Sequence, residues 1–136
     1  MTAILHADIE AQQVAYLAAA LTARSEPYAA GVSVRNRVPL GSAADPRPGR
    51  LVVVRDDGGP ALGDVRAVAR MAYRVWAPTE DEASDLANLV SALVGDCADG
   101  APVVRARVTR PYSVEDAERW LHYFTAELWV RGAPIA

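Results

Sequence analysis

The fold turns on Val65 to Val94, VRAVARMAYRVWAPTEDEASDLANLVSALV. From Val65 the residues alternate with the two-residue period of a strand. Val65, Ala67, Ala69, Met71, Tyr73 and Val75 share one face, and Arg66, Val68, Arg70, Ala72, Arg74 and Trp76 share the other. The first face is core-bound; the second mixes arginine with apolar groups. Ala77-Pro78 stops the strand, and Thr79 with Glu82 three residues later predicts a capping box that opens a helix. Ala83, Leu86, Ala87, Val90, Leu93 and Val94 recur at helical spacing, and Gly95 is the expected C-terminal stop.

Upstream, Asp8 to Arg24 reads as a helix with Asp8 at its positive end and Ile9, Val14, Leu17 and Leu21 as its apolar stripe. Pro27 marks its exit. Val32 to Val38 alternates valine with Ser33, Arg35 and Arg37, as a half-buried strand does. Leu40 to Arg50 (LGSAADPRPGR) has turn chemistry and no apolar period, so a mobile loop is expected, with Asp45, Arg47 and Arg50 as its contact residues. Leu51 to Val54 is a continuous apolar run suited to a strand covered on both faces, and Asp56 to Pro60 (DDGGP) is a turn.

Downstream, Asp96 to Pro102 is a polar connection. Val103 to Thr109 alternates again, with Val104, Ala106 and Val108 expected inward and Arg105 and Arg107 outward. Pro111 to Glu118 reads as a turn or loop. Trp120 to Arg131 is the last strand, with Phe124, Ala126, Leu128 and Val130 on one face. The order α-β-β-β-α-β-β predicts an α+β sandwich: one mostly antiparallel sheet with both helices packed on it, in one domain spanning 1–136. The strands from Val65 and Trp120 run to about 11–12 residues against a usual ~5–6, long enough to project as arms.

Half of the residues are hydrophobic and 23% are charged, which argues against disorder, and a net charge of −3 gives no global pull on a polyanion. All 14 basic residues are arginine. A GC-rich coding sequence explains the choice of arginine over lysine but not its regular placement along strands. Cys97 is the sole cysteine, which excludes an internal disulfide. Asp8 and Glu10 interrupt any signal-peptide core, and Val14 to Ala20 is shorter than the roughly 20 apolar residues a bilayer span needs. The expectation is a protein made in the cytoplasm with no membrane partner.

Reaction chemistry is hard to find. His6 and His122 have no metal-ligand spacing to other residues, and Cys97 follows a helix C-terminus, where the dipole opposes the thiolate. Asp56-Asp57-Gly58-Gly59 reads as hairpin chemistry rather than a metal loop. Neither a catalytic set, a metal nor a cofactor is expected. The arginine rows invite another use: Arg66, Arg70 and Arg74 on one strand face, which Arg105 and Arg107 continue if the strands share a sheet face. Interleaved with Trp76 and Trp129, they suit a protein interface, and Glu80 and Asp81 at the second helix start form an acidic corner that suits its complement. A solvated sheet face is the plain alternative. Nucleic-acid binding is the other, weakened by the acidic balance and the lack of a base-stacking motif.

Five segments in order, Ile4 to Glu10 (ILHADIE), Leu51 to Pro60 (LVVVRDDGGP), Val75 to Leu86 (VWAPTEDEASDL), Pro111 to Glu115 (PYSVE) and Thr125 to Gly132 (TAELWVRG), resemble tail terminator proteins of long-tailed actinobacterial phages. The resemblance implies a compact α/β subunit that assembles into a ring, commonly a hexamer, on the head-proximal end of the tail tube. It implies the major tail tube protein and a head–tail connector as partners, genomic DNA passing through the lumen, and a place in the virion after assembly in the host cytoplasm. Such a role needs no active site. Another ring-forming connector protein would share composition and fold class.

Overall fold

The computed structural model describes residues 4–5, 7–60, 66–98 and 102–134. In chain order the elements are β1 (Ile4–Leu5), α1 (Ile9–Thr22), a 3-10 turn (Pro27–Ala29), β2 (Ser33–Arg35), β3 (Leu51–Asp56), β4 (Arg66–Ala77), α2 (Glu80–Gly95), β5 (Val103–Val108), β6 (Tyr112–Val114), β7 (Trp120–Arg131) and β8 (Ala133–Pro134). This is the expected α+β order with β1, β6 and β8 added. His6 and Val65 lie outside the described residues.

The two long strands lie side by side. β4 and β7, 12 residues each, pair antiparallel from Arg66 opposite Arg131 to Ala77 opposite Trp120. They are the centre of the sheet and not projecting arms, because each one's backbone groups are met along its length by the other. Around them the strand order is β2-β3-β4-β7-β5, with β6 also paired to β7. All of these pairs are antiparallel except β2 with β3, and β1 pairs separately with β8. β2 covers only Ser33–Arg35 of the strand expected over Val32 to Val38, and β6 lies within the segment expected to be a turn or loop.

Both helices pack on one side of the sheet. Met71, Tyr73 and Val75 of β4 and Phe124, Ala126, Leu128 and Val130 of β7 form the main core with Leu17 and Leu21 of α1 and Leu86, Ala87, Val90 and Val94 of α2. α1 opens where Asp8 accepts the Ala11 N–H at 3.0 Å. Its buried stripe is Ile9, Gln13, Leu17 and Leu21, so Gln13 takes the place expected for the half-buried Val14. The Tyr73 hydroxyl donates to Gln13 Oε1 at 2.7 Å, and Gln13 Nε2 lies 3.5 Å from Cys97 Sγ. The spacing i, i+4 favours position 13 over 14 once a partner makes burying an amide affordable. The Tyr16 hydroxyl, donating to the Leu93 carbonyl at 2.7 Å, ties α1 to α2.

α2 opens at Thr79, whose hydroxyl accepts the Glu82 N–H at 3.2 Å. The reciprocal half of the expected capping box is replaced: Glu82 Oε1 takes Arg50 Nη2 at 3.0 Å. Gly95 is the last helical residue and Asp96 the cap, so the helix ends without a left-handed glycine. In β5 Ala106 and Val108 pack on the main core and Arg105 and Arg107 are exposed, as expected, while a bulge between Val103 and Arg105 puts Val103 in the core in place of the expected Val104, which is half-buried. No helix among the described residues is long and apolar enough to cross a membrane.

Candidate interaction surface

Residues paired across an antiparallel sheet point to the same side. On the side away from the helices, the rows across β4, β7 and β5 read Val68, Trp129, Arg105 and then Arg70, Glu127, Arg107. Further along, Arg74, Tyr123, Tyr112 and then Trp76, Leu121, Val114 run across β4, β7 and β6. The expected continuation of the β4 arginines into β5 is therefore present, with β7 between them and Glu127 in the middle of the row. Arg66 begins β4 opposite Arg131; its side chain is outside the described part.

One end of this face is closed. Leu51 and Val53 of β3 and Trp76 form a second, smaller core there, against which Val38 and Leu121 pack. Val52 and Val54 face the main core, so the continuous apolar run of β3 is covered on both sides, as its sequence predicts. The closing segment is the Leu40 to Arg50 loop. It forms no helix or strand, but each residue expected to reach outward has a partner in its own chain. Asp45 Oδ2 accepts Arg37 Nη1 at 2.8 Å and the Leu40 N–H at 3.0 Å. The Arg47 guanidinium sits 4.8 Å from the Trp76 ring centroid, and Arg119 Nη1 donates to the Pro48 carbonyl at 3.2 Å. Arg50 reaches Glu82 and the Ala30 carbonyl. Burial, and then the charge of Arg119, lower the Arg47 guanidinium from its ordinary value. Trp76 is consequently 4% exposed and is no surface residue in the subunit. Its indole N–H donates to Asp116 Oδ2 at 3.0 Å. The loop is thus a strap tied to the body, because side chains that look solvent-facing in sequence are held against distant segments.

Trp129 is half-buried beneath Arg105, whose guanidinium lies 4.8 Å from the ring centroid. Beside Arg74, an open cleft of about 280 Å3 is lined by Tyr112, Val114, Leu121 and Tyr123. Tyr112 and Tyr123 meet edge to face at 5.7 Å, and Tyr112 is 55% exposed. Sequence reasoning missed Tyr112, Tyr123 and Glu127. The alternation of Trp120 to Arg131 held the signal for the last two: the residues between the core-facing ones must line the opposite side.

The arginines fall into two groups. Arg35 and Arg37 are paired with Asp45, Arg50 with Glu82 and Arg55 with Glu10, while Arg47 and Arg105 lie on tryptophans. Exposed Arg70, Arg74 and Arg107 have no carboxylate within ion-pair distance among the described residues. On the other layer, Glu80, Asp81 and Asp85 of α2 are exposed and equally unpaired, and neither helix contains a basic residue.

Among the described residues, no group of three or more His, Cys, Asp or Glu side chains is placed to hold a metal ion. Asp56 Oδ1 accepts the Gly58 N–H at 2.8 Å and Gly58 and Gly59 take positive φ, but residues 57–60 are not the expected turn. The Asp57 N–H donates to the Arg70 carbonyl, the Arg70 N–H to the Gly58 carbonyl and the Val68 N–H to the Pro60 carbonyl, so the stretch continues alongside β4 as an irregular extension of β3. Cys97 and His122 are buried in the sheet–helix layer. A groove of about 450 Å3 between α1 and residues 35–37 is lined by charged groups already engaged, Asp8 as a cap, Glu10 on the Asp56 N–H, and Arg35 and Arg37 on Asp45. No protein-family model and no curated protein matches the chain.

Proposed function

We propose that this chain is a structural virion subunit that closes into a ring, a hexamer as the resemblance implies, on the head-proximal end of a phage tail tube. There it ends tube polymerisation and offers the docking surface for the head–tail connector. The ordered segments that resemble tail terminators support this reading. The observation that carries it is the asymmetry of the sandwich: helices cover one side of the sheet, while the other presents exposed, unpaired arginines among aromatic side chains. Arginine and aromatic groups are what protein interfaces concentrate. Two dissimilar surfaces on one subunit meet the geometric need of a ring, in which each copy uses two patches heterologously.

Tails assembled with and without the protein test this. With it, negative-stain images should show tails of uniform length ending in a ring that contains this chain; without it, overlong tubes that fail to join heads. Uniform, head-joined tails made in its absence refute the role. A second reading, nucleic-acid binding through the same face, draws on Arg74 beside Tyr112 and Tyr123. It requires an affinity for DNA or RNA that falls steeply with salt.

A further inference from the structure

We infer that copies of this chain dock head to tail, the open sheet face of one copy receiving the acidic helix layer of the next through Arg70, Arg74 and Arg107 on one side and Glu80, Asp81 and Asp85 on the other. The inference rests on the self-assembly part of the reading above and is independent of the tail.

The subunit segregates its charge by layer. Arginines with partners inside the subunit lie at the strap, the β2–β3 edge, the tryptophans and, for Arg24 on Glu26, the exit of α1, whereas Arg70, Arg74 and Arg107 all project from the open face unpaired. The helix layer offers exposed carboxylates and, within α1 and α2, no cation to compete for them. Apart from Glu127 on the open face and Arg50 on Glu82 at the start of α2, the two surfaces carry opposite charge. Because the two lie on opposite sides of the sandwich, the contact is heterologous and propagates from copy to copy instead of closing a two-fold dimer.

The dimensions agree. Arg70 and Arg107 stand two strands apart, about 10 Å at ~4.8 Å per strand. Asp81 and Asp85, one helical turn apart, are separated by about 6 Å along the axis, a difference that two arginine side chains span easily. A second copy also fits better than a polyanion. Glu127 lies between Arg70 and Arg107, where a continuous phosphate backbone would meet its carboxylate, while discrete side-chain carboxylates can sit to either side of it. The net charge of −3 opposes long-range attraction of nucleic acid as well.

The test is a pair of charge-reversed full-length proteins, R70E/R74E and E80R/D81R, with thermal melts to confirm that each is folded. If E80R/D81R does not fold, D85R, one turn farther into the helix, replaces it. Alone, each variant presents like charges on both faces and should self-associate at least about 30-fold more weakly than wild type in sedimentation velocity. Mixed in equal amounts, every contact between unlike copies is complementary, so association should return and should weaken again on going from about 0.05 M to about 0.5 M salt. A mixture that stays monomeric overturns the inference, and it does so in favour of nucleic acid if R70E/R74E also loses binding of a short DNA duplex. Restored association in a protein that leaves tail length unchanged keeps the inference and removes the tail role; a monomeric mixture leaves tail capping through another face intact.

Discussion

Replacing Tyr73 by phenylalanine tests the joint that holds α1 on the sheet. The Tyr73 ring is fully buried and stacks on Phe124 with centroids 4.6 Å apart and planes 6° from parallel. Phenylalanine keeps that stack and removes only the hydroxyl that donates to Gln13 Oε1 at 2.7 Å. Gln13 is itself 0% exposed, so the substitution strands an amide oxygen in the core, at a cost of about 1–3 kcal/mol. For 136 residues, with an unfolding entropy of about 2.1 cal/mol/K per residue, that lowers Tm by roughly 3–10 °C. Gln13→Leu should cost a similar amount by stranding the hydroxyl. The double substitution leaves neither atom unpaired and should cost less than the sum of the two by about 1 kcal/mol or more. Burial also pushes the Tyr73 phenol well above its ordinary value, so it stays a donor and the cycle should read the same throughout the neutral range. Urea unfolding of the four proteins provides the measurement. A Tyr73→Phe protein within about 0.5 kcal/mol of wild type, or single effects that simply add, would refute the reasoning.

Gly59→Ala should destabilise the extension of β3 alongside β4 by roughly 2 kcal/mol or more, because a Cβ there would collide with the Val68 carbonyl oxygen and φ is +147°; an unchanged urea midpoint would contradict this close approach. The strap should respond to acid with a defined sign. Arg37 and the Leu40 N–H hold the Asp45 carboxyl below its usual range, and the Glu118 N–H and Trp76 indole do the same for Asp116. Their stabilisation is therefore complete above the unfolded aspartate value of about 3.9 and is lost as pH falls through the lower folded values. The Leu40 amide and Trp76 indole resonances should titrate below that value, and titration at or above it would show that these contacts are absent in solution.

How much of this was legible in the chain depends on the range of the interaction. Period-two alternation in Ala67 to Val75 and Trp120 to Arg131 specified which side chains enter the core, because a strand has only two faces and burying one apolar set decides both. Thr79 marked the start of α2 because an N-cap is chemistry confined to four consecutive residues, and the apolar run Leu51 to Val54 announced a strand covered twice. Partner choice was not local. That β4 lies in full register against β7 and not out in solvent, that Glu82 leaves its own helix end for Arg50, and that Gln13 rather than Val14 is buried all follow from which distant residue arrives alongside. Arginine shows the division best. Fourteen identical side chains carry no mark of their fate in the sequence. Tertiary structure alone pairs Arg37 with Asp45, lays Arg47 on Trp76 and leaves Arg70, Arg74 and Arg107 unpaired, because a charge can be satisfied only by a group that folding brings within a few ångströms of it.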